Sequence, residues 1–262
     1  MRGMSTLPIV DVETARTASG LRLVVLGDVP SPWSQAAKTL VELKQIPAVL
    51  VKKKFGDTTV QAWTGIANGP IALYDAEPPR TGWAEILELC ERIQPERPLV
   101  PSDPEQRVQL FGLGHELLGA GGLMWAARLF TLEASFATDG AQGFMLPVAK
   151  YLAERYGYTP GCGASAKAHA REILAVMHAR LQRATQRGHD YLLGSEVSAL
   201  DVYLAAVLNA LAPLPGEQCP MHRAVRPAFE HMRSELQDAL TPELLAHRER
   251  VVSRHFQVPL LI

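Results

Sequence analysis

Hydrophobic positions along the chain change their period once. Residues 21–26 form a short aliphatic and β-branched run that stops at Gly27, and its length and bounds predict a buried strand. Ser31 then precedes Pro32, a pair suited to an N-cap and a first helical position, and Ala36, Ala37, Leu40, Val41 and Leu43 recur at helical spacing up to Ile46. A second strand is predicted at 48–52 and a short, weak helix at 58–67. Asn68-Gly69-Pro70 is a turn signal, and 71–74 reads as a third strand. A fourth strand is weakened by Pro78 and Pro79, which cannot donate to a ladder. Apolar residues at 83, 86, 87, 89, 90 and 93 then line one helical face. The order is βαβ, then β, then α.

Beyond Asp103 every periodic segment is helical. Residues 106–136 can form one long helix or two, because Gly112, Gly114, Gly119, Gly121 and Gly122 each weaken a helix by up to about 1 kcal/mol relative to Ala. A bend or close packing is expected there. Further helices are expected at 144–156, 164–187, 199–211, 223–240 and 242–255. Pro95, Pro98 and Pro101 mark the natural linker. The expected organisation is an N-terminal extension (1–20), an α/β domain (21–94), a linker (95–102) and an all-helical domain (103–262). Length agrees, since 262 residues at roughly 150 per domain make about two.

Composition narrows the function classes. Hydrophobic residues make up 47% and charged ones 20%, which is the balance of a globular chain that folds in water. Lys and Arg total 26 against 27 Asp and Glu, so no bulk positive field favours a nucleic-acid or anionic-membrane partner. Cys90, Cys162 and Cys219 are odd in number and far apart, which argues against a disulfide framework or a cysteine zinc site and for a reducing compartment. The first twenty residues lack the apolar core of a secretory signal, and no stretch approaches the ~18 apolar residues of a membrane span, so the cytoplasm is the expected location.

Most motif searches come back empty. His115-Glu116 begins like the zinc-protease H-E-x-x-H, but Gly119 stands at the second His position and no metal is expected. Gly112-x-Gly114 lacks the third glycine of a dinucleotide fingerprint and follows a linker instead of a strand. Lys52-Lys53-Lys54 reads as a solvated strand end or a contact for a carboxylate. Two places carry signal. Ser31-Pro32-Trp33-Ser34-Gln35 stands at the mouth of a helix, where free N–H groups and the dipole stabilise an anion, and it equally suits an N-cap. Between Tyr191 and Asp201, Ser198 and Asp201 hold capping-box spacing ahead of an apolar helix, with Asp in place of the longer Glu or Gln.

At these residues the chain resembles the cytosolic glutathione transferase superfamily. Ser31-Pro32-Trp33-Ser34-Gln35 is similar to the active-site turn of omega-like and tau-like members, and Leu43-Lys44-Gln45-Ile46 follows it as in those classes. Gly69-Pro70 sits where the family has its cis-proline. Pro98 to Pro104 is similar to its interdomain segment, and the Tyr191 to Asp201 block, with Gly194, Ser198 and Asp201, is the most specific match. The resemblance covers nearly the whole chain after Gly20. It implies a thioredoxin-like α/β domain followed by an all-helical one, assembled as a homodimer.

It also implies roles. Ser31 would hydrogen-bond the glutathione sulfur, with Ser34 as second candidate. A charge-assisted hydrogen bond of ~1.5–3 kcal/mol plus ~0.3–1 from the helix N-terminus would lower a thiol pKa by roughly one to three units. Omega-like members carry Cys at the position of Ser31, so chemistry through an enzyme cysteine is not expected. Trp33, Lys54, Gly69, Pro70, Arg80, Thr81 and Trp83 are the implied contacts of glutathione, which acts as co-substrate. His115, Leu118, Leu123 and Trp125 are the implied lining for a small, fairly apolar electrophile. One departure stands out. The family holds the γ-glutamyl group with an acidic residue followed by Ser, and this chain has Thr81-Gly82 or Gly82-Trp83 there, neither of which supplies a carboxylate. A non-catalytic member that binds a ligand or a protein is the alternative.

Overall fold

The computed structural model describes residues 7–260. A short helix α1 (Val12–Thr17) leads into β1 (Leu21–Leu26), α2 (Pro32–Leu43), β2 (Ala48–Lys53), α3 (Thr59–Thr64), β3 (Ile71–Tyr74) and α4 (Trp83–Ile93). Seven helices follow, namely α5 (Pro104–Leu118), α6 (Leu123–Ala137), α7 (Leu146–Tyr156), α8 (Gly163–Gln186), α9 (Ala199–Leu211), α10 (Arg226–Glu235) and α11 (Pro242–His255). This is a thioredoxin-like α/β domain followed by an all-helical one.

The sheet has the order β2-β1-β3. β2 runs parallel to β1 with Leu23 opposite Leu50, and β3 runs antiparallel with Leu23 opposite Ala72. Strand alternation sorts the side chains. Leu21, Leu23, Val25, Leu50 and Ala72 join α2 and α4 in the main core, while Val24, Val51, Ile71 and Leu73 form a second cluster with Ala15 of α1 and Val60 of α3. The segment ahead of β1, expected as an extension, thus belongs to this layer where it is described; residues 1–6 lie outside the described residues. Leu50 donates its N–H to Pro8 (2.8 Å) and accepts from Val10 (2.9 Å), which covers the outer edge of β2. The doubtful fourth strand reduces to one bridge, in which Ala72 and Arg80 exchange both backbone hydrogen bonds at 2.9 Å.

Helix ends depart from the predicted ones for local reasons. α2 stops at Leu43 instead of Ile46 because Gln45 takes a left-handed conformation (φ 55°) and the Ile46 N–H turns back to the Val41 carbonyl (3.1 Å). α7 and α10 start later than expected, each with a proline in the first turn, where no N–H is missed. The glycine-rich stretch is two helices, broken at Gly119–Gly122. A Cβ on Gly122 would stand 2.5 Å from the Glu116 carbonyl oxygen, so the chain passes its own preceding turn at a distance only glycine allows.

All thirteen residues of α9 are buried. An end closed to water must satisfy its donors internally, and Asp201 does so. Its carboxylate accepts from the Ser198 N–H (3.0 Å), the Ser198 hydroxyl (2.7 Å) and the Leu192 N–H (2.9 Å), and it lies 3.4 Å from Nε2 of the buried His247. The Ser198–Asp201 capping interaction is present in this form. Removing the carboxylate strands several buried donors at once. Asp201→Ala is therefore expected to lower stability by roughly 1–3 kcal/mol, with Asp201→Asn less damaging, as read from urea unfolding midpoints.

Candidate functional site

The turn between β1 and α2 is held on three sides. Ser31 caps α2, its Oγ accepting the Ser34 N–H at a long 3.4 Å, and Pro32 opens the helix. Ser34 is wholly buried, and its Oγ accepts the N–H of Leu26, the last residue of β1 (3.1 Å). Neither hydroxyl donates to another described residue. The Gly69–Pro70 peptide is cis, as expected, and brings Gly69 against Leu26 at the end of the central strand. The carbonyl of Asp28 accepts from His222 of the loop ahead of α10 (3.2 Å). Further along, Gln35 donates to the Leu260 carbonyl (3.4 Å) and Lys38 to the Gln257 side chain (2.9 Å), so the C-terminal tail lies along α2. Ser31 itself is only 3% exposed.

Trp33 joins the turn to the helical domain. The break at Gly119 leaves the last carbonyl of α5, that of Leu118, without a helical partner, and the Trp33 indole N–H takes it at 2.8 Å. The Trp33 ring lies 6.5 Å from that of Tyr156, at the end of α7. Trp125 packs edge-on against Tyr156 at 4.6 Å and donates to its carbonyl (3.0 Å). Midway along α7, Tyr151 stands edge-on to Phe55 (5.3 Å), and its hydroxyl donates to Asn68, next to Gly69. α7 thus contacts the turn and both loops that flank it.

At the mouth of α4 the carboxylate of Glu85 accepts from the backbone N–H groups of Gly82 (3.0 Å) and Thr81 (3.2 Å). The Ala72–Arg80 bridge places this helix end beside the start of β3, two residues from Pro70. The donors that would meet a bound anion are held by the protein's own side chain. The Gly82 and Glu85 spacing, N-cap to N3, was available in the sequence as a signal for this contact.

No protein-family profile and no curated protein matches the sequence. Solved structures do match. The glutathione S-transferase of Methylobacterium radiotolerans JCM 2831, in complex with glutathione sulfonate, is 18% identical, with a TM-score of 0.61 over 89% of this chain and 91% of that one. The glutathione S-transferase of Methylobacillus flagellatus KT with glutathione bound is 13% identical, with a TM-score of 0.63 over 89% and 95%. That of Pseudomonas fluorescens Pf-5 is 18% identical, with a TM-score of 0.58 over 93% and 100%. This chain has the glutathione S-transferase fold.

Within that fold the expected site residues separate. Ser31, Ser34, Trp33, Gly69 and Pro70 converge on the mouth of α2. Arg80 and Thr81 stand beside it, but Arg80 is paired with Glu77 (2.7 Å) and the Thr81 N–H with Glu85; Lys54 is exposed. Trp83 is corrected. Its indole packs between the domains on Phe111 (6.1 Å) and Tyr203 (5.4 Å) and against Gly114, where a Cβ would come within 2.8 Å of the ring. Leu118 and Leu123 are corrected likewise, since both are buried in the main core and only the Leu118 carbonyl faces the site. His115 is exposed and folds over Gly119, and Trp125 reaches the site through Tyr156. Sequence reasoning passed over Glu85 and Tyr156.

The cysteines take no part in this geometry. Burial pushes the Cys90 thiol up to about 12 and raises that of Cys219, whereas Cys162 is half-buried ahead of α8. At about pH 8 a disulfide-exchange reagent should modify one thiol in the native protein and three in denaturant, since Cys90 and Cys219 are buried and only Cys162 is within reach of the reagent. Rapid native reaction of all three would contradict the burial.

Proposed function

We propose that the protein binds glutathione at the mouth of α2 and transfers its sulfur to a small, fairly apolar electrophile. The observation that carries this reading is the Ser31 hydroxyl. It sits at the N-terminus of a buried helix, accepts a hydrogen bond from Ser34, and keeps its proton free to donate to sulfur. A donor and a helix dipole both favour the thiolate over the thiol. The thiolate then attacks the electrophilic carbon, the new C–S bond forms as the leaving group departs with its electron pair, and the thiol proton passes to solvent. Gly69, turned toward the same mouth, would hold the cysteinyl backbone of the peptide.

Glu85 answers the missing carboxylate at 81–82. One of its oxygens, Oε2, accepts from Thr81 and Gly82, and Oε1 accepts from no described residue, which leaves it for the ammonium of the γ-glutamyl group. The resemblance adds a homodimer, which sedimentation would test, and the three free cysteines suit a reducing cytoplasm. The alternative, a binding protein without turnover, is favoured by the burial of Ser31, which is only 3% exposed.

Ser31→Ala should lower turnover of a reactive aryl halide or epoxide by about one to three orders of magnitude while glutathione affinity changes little. Glu85→Gln should weaken glutathione about fivefold with a smaller effect on the bound-state rate. Calorimetry and steady-state kinetics read both. A wild type that neither binds glutathione nor turns over halides, epoxides and enones would leave the binder.

A further inference from the structure

The proposed ligand needs an entrance that the structure keeps shut. Ser31 is 3% exposed and Ser34 is wholly buried, so a tripeptide cannot bring its sulfur to either hydroxyl until an element beside the mouth moves. Several of those elements are fixed. α2 packs on the fully buried α9 and is tied to α4 through Lys44 and Glu91 (2.7 Å), and Trp33 is bonded to the end of α5 (2.8 Å). α7 is held differently. Of its eleven residues only Ala149 and Tyr156 are buried, whereas its neighbour α6 buries nine of fifteen. Elements with so little buried surface open locally at a small fraction of the free energy of global unfolding.

Both ends of α7 are tied to α6. At the front, the Phe144 N–H donates to Ser135 (2.8 Å), and Gly143 passes so close that a Cβ there would stand 2.5 Å from the Ser135 hydroxyl and 2.6 Å from the Thr131 carbonyl. At the back, the Trp125 indole holds the Tyr156 carbonyl (3.0 Å), and Gly157 ends the helix in a left-handed conformation (φ 64°). Towards the first domain, the Tyr156 ring meets Trp33 at the hinged end (6.5 Å), and midway along the helix Tyr151 donates to Asn68 and stands edge-on to Phe55 (5.3 Å). Asn68 precedes Gly69, and Trp33 lies two residues beyond Ser31, so α7 touches both sides of the mouth. The midway contact is wet, with Tyr151 40% and Phe55 63% exposed. One neutral hydrogen bond and one aromatic edge favour the closed arrangement by only about ten- to a hundredfold.

We propose that α7 is a lid on the mouth of α2, hinged along α6 and latched by Tyr151 to Asn68 and Phe55, and that lifting it admits glutathione and releases the product. This rests on the glutathione reading for what passes through, not for the motion itself. A helix pinned at both ends rolls about its anchors, and the roll lifts its middle, where Tyr151 sits. Closure would exclude water from a thiolate at Ser31 and commit the bound peptide. Tyr151 is a positioning residue in this device and touches no reacting atom.

Ser31→Cys supplies a reporter of the opening. In a Cys162→Ser background a disulfide-exchange reagent should label it slowly, and Tyr151→Phe or Asn68→Ala should each speed that labelling by about two- to tenfold. The two together should add little, since they remove the same bond. Buried Cys90 and Cys219 report unfolding in the same sample and should stay as slow as before. With Ser31 native, stopped-flow mixing with glutathione should show association and dissociation rates rising by the same factor in both latch variants, with Kd held within about twofold. Labelling that ignores both substitutions would overturn the lid. So would labelling that speeds up at Cys90 and Cys219 as well, which would make Tyr151 a stabilising contact of the fold. A dissociation rate that rises alone would overturn it too, by making Tyr151 a contact of the bound peptide. Where Ser31→Cys does not fold, Ser34→Cys takes its place as reporter. A wild type that binds no glutathione sinks the transferase reading, and the labelling still decides the lid.

Discussion

The carboxylate of Asp201 gathers two backbone N–H groups and a hydroxyl at the start of a helix that water does not reach. Burying all of α9 is possible only because that end is satisfied from within. Much of the molecule then leans on α9. It packs against α2 of the first domain and against α5, α10 and α11 of the second. The linker is tied to it as well, since Ala199 donates to the Leu99 carbonyl at 2.9 Å. Through α2, that capping contact also supports the turn at Ser31, which belongs to the other domain.

Buried polar contacts add register to the apolar packing between the domains. Lys44, fully buried behind α2, gives its ammonium to Glu91 of α4 (2.7 Å) and to the Arg97 carbonyl (2.6 Å), and the same Glu91 oxygen accepts the Leu99 N–H. Trp83 and Trp33 then clamp the two halves at separate points, one by ring packing and one by an indole hydrogen bond to the end of α5. The Trp33 indole and the Lys44 ammonium each lose a partner if these elements shift, so together they hold α2 in fixed relation to α4 and α5.

The N-terminal ends of α2 and α4 both present backbone N–H groups that favour an anion. Glu85 already holds the backbone donors at the start of α4, while the proposed thiolate would stand at the start of α2. The fold supplies these two helix ends, and the chemistry proposed for them rests on the particular groups they carry.

The α/β-then-all-α organisation was legible from the sequence because its signals act over a few residues. β-branched runs, helical periodicity, Ser31 before Pro32 and the Ser198–Asp201 spacing are each read without knowing what lies opposite. The turn residues of the site followed from the same local chemistry and from the resemblance it carried. Tertiary structure decided the rest. It placed Trp83 in an interface and Leu118 and Leu123 in the core, since a large apolar side chain has the same local pattern whether it faces a neighbour helix or a ligand. It folded residues 8–18 onto β2, a pairing with no sequence period of its own. It also set Tyr156 against both Trp33 and Trp125, which the sequence could not disclose, because the residues that meet there come from elements far apart in the chain.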